Sequence, residues 1–394
     1  MTVVVDLEEF GEAFREDPHP VYAQLRARGP IHRVRLPKQD DSREMWLVVG
    51  HEQARAALAD PRLAKDGGKI GLTAMDEELI GKHLLVSDPP QHTRLRSLIT
   101  RAFTARRVAT MRQRIQQIAD ELLDTMLPHG RADLIESFAY PLPITVICEL
   151  LGVPEMDRGE FRQISTDVVT PADPTIKHDS FLRLSGYLDD LIEAKRSAGP
   201  GTDLLSELIR TTTEEGDRLS PDELRGMAYV LLLAGHETTV NLITNAVHTL
   251  LTHPEQLAAL RADMTLLDGT VEEALRYEGP VETSTYRFAA ESLEIAGVPI
   301  AKGEWVLVGL AAADRDADRF PAPDRFDIRR DARGHIAFGH GIHYCLGAPL
   351  ARLEAQVALR ALLERAPGLA LDGPPREWLP GVLLRGVRRL PVLW

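Results

Sequence analysis

Apolar positions along the chain recur mostly at intervals of three and four, the spacing of a helix with one face turned inward. The pattern predicts helices over 105–127, 144–151, 181–195, 220–252, 271–277 and 350–364. Runs of β-type residues are fewer and shorter. Segments 31–36 and 46–49 flank a polar turn at 38–44, and a second group runs from 293 to 308 with Gly297 and Gly303 as turn points. One small sheet is expected from them, so the fold class is mainly α with a minor β-sheet region. Loops rich in Pro and Gly fall at 61–90, 170–179 and 199–202, and there is no internal repeat.

One helix has explicit ends. Ser220 can cap it, Pro221 suits its first position, Glu223 completes a capping box, and Pro254 stops it after His253. About 33 residues at about 1.5 Å rise each give a length of about 50 Å. Its middle, 229–234, is apolar on every face, which predicts a buried central helix. The run is then interrupted by Ala234-Gly-His-Glu-Thr-Thr239. A glycine inside a helix costs about 1 kcal/mol relative to alanine and implies a local purpose. Thr238 can turn its hydroxyl onto the carbonyl four residues back, bending the helix and opening a polar gap. Alternatively Thr238 satisfies a plain kink, while Glu237 pairs with a neighbouring cation.

Composition narrows the function. A chain of 394 residues allows one large domain or two intimately packed ones, and 44% apolar with 27% charged residues is ordinary globular make-up. A formal charge of -13 opposes nucleic acid and anionic membrane surfaces as partners. The two cysteines, Cys148 and Cys345, lie too far apart in unlike contexts for a disulfide framework, which fits a reducing cytoplasm. Residues 1–18 hold only three valines as an apolar run, and 227–235 is far shorter than a membrane span. A cytoplasmic protein that binds no membrane is expected. No flavin or nicotinamide fingerprint precedes a helix, so any electrons must come from another protein.

The segment Phe338-Gly-His-Gly-Ile-His-Tyr-Cys-Leu-Gly347 places Cys345 on a glycine-rich loop just before a helix that begins near Pro349. The free amides and positive end of that helix favour a thiolate, and the glycines let the backbone fold close to a ligand. Two other readings stay open for the same residues. Cys345 could be a small buried hydrophobe. It could also join His340 and His343 in a zinc site, although no fourth ligand is evident.

The loop resembles the haem-binding signature of the cytochrome P-450 family, Phe-x-x-Gly-x-His-x-Cys-x-Gly, at Phe338, Gly341, His343, Cys345 and Gly347. Further matches follow in family order: His92 and Arg96, the Ala234-Gly235 helix, Glu273-Ala-Leu-Arg276, Arg287, and Pro323-Asp-Arg-Phe326. A departure occurs at Ala313, where relatives often carry asparagine. The resemblance implies a single domain over 1–394 with the family's triangular-prism fold and a long central helix over the haem. It implies haem b (iron protoporphyrin IX), with Cys345 as the iron ligand whose electron donation favours cleavage of the dioxygen bond. Phe338, Gly339 and Gly347 would lie against the haem. His92, Arg96, Arg287 and His343 would meet its propionates, and Ala234 and Gly235 would leave room beside it. Glu237 and Thr238 would relay protons to the bound dioxygen, and Glu273, Arg276 and Arg325 would lock the loop preceding Cys345.

The activity so implied is that of a monooxygenase. It would insert one oxygen atom from dioxygen into a lipophilic small molecule, by hydroxylation or epoxidation. The substrate would be a macrolide, polyketide or other secondary metabolite, or a steroid-like compound. Val230, Leu231, Val281, Thr283, Ser284 and Val382 are expected in the substrate pocket. An iron-sulfur ferredoxin, fed by an NAD(P)H reductase, would supply two electrons to a monomer, docking on Arg101, Arg106, Arg107, Arg112 and Arg352. Two rival functions share this fold: a haem enzyme that does not hydroxylate but uses peroxide, closes rings or desaturates, and a catalytically dead recruitment module.

Overall fold

The computed structural model describes residues 4–36, 44–70, 81–154, 158–169, 174–211, 216–374 and 376–394. The chain divides into two compact units. A mixed unit comprises 1–64, 119–139 and 238–394, and a helical unit comprises 65–118 and 140–237. Most of the turn expected at 38–44, and parts of the loops at 61–90 and 170–179, lie outside the described residues.

The mixed unit is built on a six-stranded sheet. Its strands run Val4–Asp6, Ile31–Arg35, Glu44–Val48, Trp305–Val308, Arg287–Ala289 and Leu63–Ala64 across the sheet. The two N-terminal runs pair antiparallel, Ile31 opposite Val48, as their spacing suggests. Successive side chains on a strand point to opposite faces. Trp46, Val48, Val306 and Val308 therefore enter one core with Ala54, Ala57 and Leu58 of the helix His51–Ala59. Met45, Leu47, Val49 and Leu307 enter the other, with Phe14, Tyr22 and Leu25. The second β group does not join one sheet as a block. Trp305–Val308 does, but Leu293–Ile295 and Val298–Ile300 close into a separate hairpin. Its turn residues, Ala296 and Gly297, both have positive φ, the geometry that matches the twist of a tight hairpin.

The helical unit holds Gln91–Ala102, Pro141–Leu151, Arg158–Val169, Pro174–Ala198, Leu204–Arg210 and the first half of Pro221–Thr252. The stretch expected as one helix over 105–127 is two, Ala105–Thr110 and Arg112–Met126, because the Met111 N–H turns back to the Val108 carbonyl. The capping box forms as anticipated. The Glu223 amide donates to Ser220 Oγ at 3.2 Å, and the Ser220 amide donates to Glu223 Oε2 at 2.9 Å. Arg94 reinforces it by donating to both Glu223 oxygens, at 2.7 and 3.1 Å, and to the Asp217 carboxylate.

The middle of the long helix is not buried on every face. Met227, Ala228, Leu232 and Leu233 are buried, but Val230 and Leu231 are half-buried and Ala234 is exposed. Val230, Ala234 and Thr238, four apart, form one accessible stripe along the helix. The apolar residues on that stripe therefore face something other than the protein's own core.

Candidate active site

The cysteine loop leads directly into the helix Ala348–Arg365. Its backbone is fixed by short internal bonds: Gly339 N–H to the Ile336 carbonyl at 2.8 Å, and Cys345 N–H to the Phe338 carbonyl at 2.9 Å. Gly339 and Gly341 adopt positive φ, which the tight turn requires. At Gly341 a side chain is also excluded by space, since a Cβ would stand 3.0 Å from the Leu58 carbonyl oxygen. Cys345 is exposed whereas Cys148 is buried and neither forms a disulfide, so the small-hydrophobe reading fits Cys148 and not Cys345. Among the described residues no three His, Cys, Asp or Glu side chains converge as metal ligands, which leaves the zinc alternative without a ligand set.

The loop is clamped from outside by Glu272 and His335, which the sequence reading passed over, and by Arg352, which it placed in a docking face. Arg352, in the helix after the cysteine, grips Glu272 with Nε and Nη2 at 2.6 and 2.8 Å and lies over the Phe338 ring at 4.5 Å. His335 Nε2 meets the same carboxylate at 3.1 Å. Burial alone would raise the Glu272 carboxyl, but the Arg352 and His335 contacts outweigh it and hold the group down at about 2. Because the folded value lies below the ordinary 4.5, ionised Glu272 stabilises the loop above that pH, and the contribution is lost as the pH falls toward 2. Glu272→Gln is therefore expected to weaken the holoprotein at neutral pH and to flatten its acid dependence between about 4.5 and 2. Denaturant unfolding of the two proteins across that pH range measures this. Arg352 is thus held on Glu272 while its side chain stays partly exposed. Arg107 is likewise paired, with Glu207.

The charge lock behind the loop differs from expectation in one member. Arg276 donates to Glu273 through Nε at 2.7 Å and Nη2 at 2.8 Å, with both side chains fully buried. Its remaining donors reach the carbonyls of Asp314, Pro323 and Arg325 at 3.0, 2.8 and 3.3 Å. The third member is Arg330, whose Nε reaches Glu273 Oε1 at 3.2 Å. Arg325 is not a member: its side chain is 68% exposed, and only its backbone carbonyl takes part. The local motif could not tell these arginines apart, since both lie on the same turn-rich segment after Pro323. Asp314, also unforeseen, ties this lock to the loop by accepting the Ile336 N–H at 2.8 Å.

The expected haem contacts are distributed as follows. In the mixed unit, Arg287 is buried on its strand with Nη1 on the Leu63 carbonyl at 3.3 Å, and His343 is half-buried at the turn Gly341–His343. In the helical unit, His92 is buried on the first turn of Gln91–Ala102, with Arg96 one turn on and half-buried. Burial, with the nearby Arg96 charge, pushes the His92 imidazole down in spite of Asp88. A Cβ at Gly235 would stand 2.8 Å from Ile147 Cδ1, so the glycine admits the helix Pro141–Leu151. Ala234, being exposed, is the residue that offers space.

Two pocket expectations are also corrected. Val382 is buried among Leu7, Phe14 and Tyr22, and Thr283 is buried with its hydroxyl on the Val382 carbonyl at 2.9 Å. Residues beside them are more open: Leu383 is 42% exposed, and Val281 and Ser284 are half-buried.

Within the mixed unit, a single soft sulfur donor on an exposed loop, on a backbone that excludes side chains, with Arg287 and His343 able to meet carboxylates, suits a haem. Residues 2–163 and 176–366 match the cytochrome P-450 family. The chain belongs to that family and is a monooxygenase of it. It is 58% identical over 99% of its length, and 94% of the relative's, to cytochrome P-450 monooxygenase PikC of Streptomyces venezuelae. It is 46% identical, over 100% of this chain and 99% of the other, to 6-deoxyerythronolide B hydroxylase of Saccharopolyspora erythraea. Among solved structures, the tirandamycin C-bound monooxygenase TamI superposes with a TM-score of 0.90 at 44% identity, covering 99% of each chain. Membership implies a haem cofactor, a redox partner and a lipophilic substrate. No helix among the described residues is long and apolar enough to cross a membrane.

Proposed function

We propose that the protein hydroxylates or epoxidises a macrolide or related polyketide at a carbon presented to the Val230, Ala234 and Thr238 stripe. The observation that carries this reading is Cys345, exposed on its clamped loop within a chain so similar to PikC. Haem b, when bound, supplies the iron at which dioxygen is activated. Cys345 would hold it as thiolate, favoured by the N-terminal end of Ala348–Arg365. Arg287, His343, His92 and Arg96 would neutralise its two carboxylates, which cannot be buried without such partners. Phe338, Gly339 and Gly347 would form the surface beneath it, and the two units would act as one catalytic domain.

Glu237 and Thr238 would deliver protons from the helix, the acid as source and the hydroxyl as the last positioned donor. Leu231, Val281, Ser284 and Leu383 would exclude water around the substrate. A ferredoxin with its reductase would supply electrons to a cytoplasmic monomer, docking on the exposed Arg101, Arg106 and Arg112.

Two experiments test this. In a panel of 6-deoxyerythronolide B, mycinamicin IV, tirandamycin C and vitamin D3, the macrolides should shift the spin state; a response to vitamin D3 alone would move the substrate class to steroid-like compounds. Thr238→Ala should lower product per electron pair by on the order of 10²-fold while reductant consumption continues and peroxide appears. Unchanged coupling would remove Thr238 from proton delivery.

A further inference from the structure

His236 sits between the two residues that leave an open helix face, yet it is itself fully buried. Its ring is held edge-on to Tyr140 at 5.9 Å and to Phe161 at 5.6 Å between centroids. Nδ1 lies 2.8 Å from the Leu232 carbonyl, which only accepts, so Nδ1 carries a hydrogen. Nε2 then faces two oxygens, Ser165 Oγ at 3.2 Å and Glu237 Oε1 at 3.3 Å. A neutral ring beside an ionised Glu237 would set a nitrogen lone pair against a carboxylate oxygen with no hydrogen between them. Out of water that arrangement is costly. A proton lying between Nε2 and Oε1 removes the conflict and turns the contact into a charge-assisted hydrogen bond.

We propose that His236 is a positioning residue for Glu237: it fixes the carboxyl by sharing one proton with it and supplies that proton for delivery. The bond from hydrogen to Nε2 breaks, the bond to Oε1 forms, and Glu237 passes a proton on toward Thr238. The ring is left neutral with Nδ1–H intact, and a solvent proton restores the pair. The ring need not rotate, because the same nitrogen receives and releases the proton while Nδ1 stays on the Leu232 carbonyl. Tyr140 and Phe161 also oppose rotation. The inference rests on the reading of Glu237 as proton source, and its test separates the two.

The test uses the ferrous, carbon monoxide-bound holoprotein, which is diamagnetic, labelled with ¹⁵N-histidine. The wild type should show a His236 ring protonated or strongly hydrogen-bonded at Nε2, and Glu237→Gln should leave a neutral Nδ1–H ring. A His236 signal identical in the two proteins overturns the proposal without touching the role of Glu237. Coupling is then compared with whichever compound of the panel shifts the spin state. His236→Gln should lower product per electron pair roughly tenfold, less than the 10²-fold or so of a direct donor. Coupling lost in Glu237→Gln but kept in a folded His236→Gln overturns the proposal alone. Coupling kept in Glu237→Gln overturns both it and the proton role of the acid. Because the spectroscopic arm leaves His236 in place, it decides the matter even where His236→Gln does not fold.

Discussion

Cys345→Ser is expected to abolish monooxygenation together with the strongly red-shifted band that a thiolate ligand would give the reduced, carbon monoxide-bound protein. The expectation follows from position and chemistry together. The side chain is exposed at the end of a loop whose backbone is pinned at Phe338, so a serine occupies the same place without disturbing the fold. What changes is the donor. An alcohol stays protonated where a thiol ionises, and a hard oxygen gives far less electron density to a soft metal than sulfur does. Product should fall to background while thermal stability of the protein without cofactor is unchanged. Comparing the two spectra and the product yields measures this, and a serine variant that keeps both the band and the activity would remove Cys345 from the site. Cys148→Ser, in a buried helix, is the control that should leave the spectrum intact.

The second large effect falls on stability. Arg276→Ala takes two donors from the fully buried Glu273 carboxylate, which keeps Arg330 on Oε1, and leaves the Asp314, Pro323 and Arg325 carbonyls short of a donor. Breaking one partner of a buried pair costs about 3–5 kcal/mol. At about 1.4 kcal/mol per tenfold, that raises the unfolded fraction by on the order of 10²–10³. Arg325→Ala should stay within about 0.5 kcal/mol, as expected for an exposed side chain. Arg330→Ala should fall between them, since Arg330 meets Glu273 through one nitrogen and is mostly buried. Denaturant unfolding of the three variants checks the order. Equal losses for Arg276→Ala and Arg325→Ala would contradict the assignment of the lock.

The three arginines show where a linear motif stops being informative. Glu273 and Arg276 are three apart on a helix, and helical geometry alone brings them together. Arg325 and Arg330 follow in a segment without regular structure, where spacing carries no rule about direction. Only the fold turns Arg330 toward Glu273 and leaves Arg325 in solvent. Glu272 and Arg352 were hidden for a related reason. They lie on two different helices, 80 positions apart, and each looks like an ordinary surface charge in its own helix. A helix was missed at His19–Arg28, whose inward face includes the polar His19.

Short-range order is therefore what the sequence alone determined. It set the capped start of the long helix, the two β runs 31–36 and 46–49 on either side of a polar turn, the glycine-rich loop around Cys345 and the family to which the chain belongs. These depend on backbone preference and on residues within a turn or two of one another. Tertiary structure decided which face of each element is covered: Gly235 against Ile147, Val382 into the core with Leu383 outward, Arg330 in the lock in place of Arg325, and Arg352 over Phe338. A side chain's partner across space is fixed by the packing of whole elements, and no local pattern encodes it.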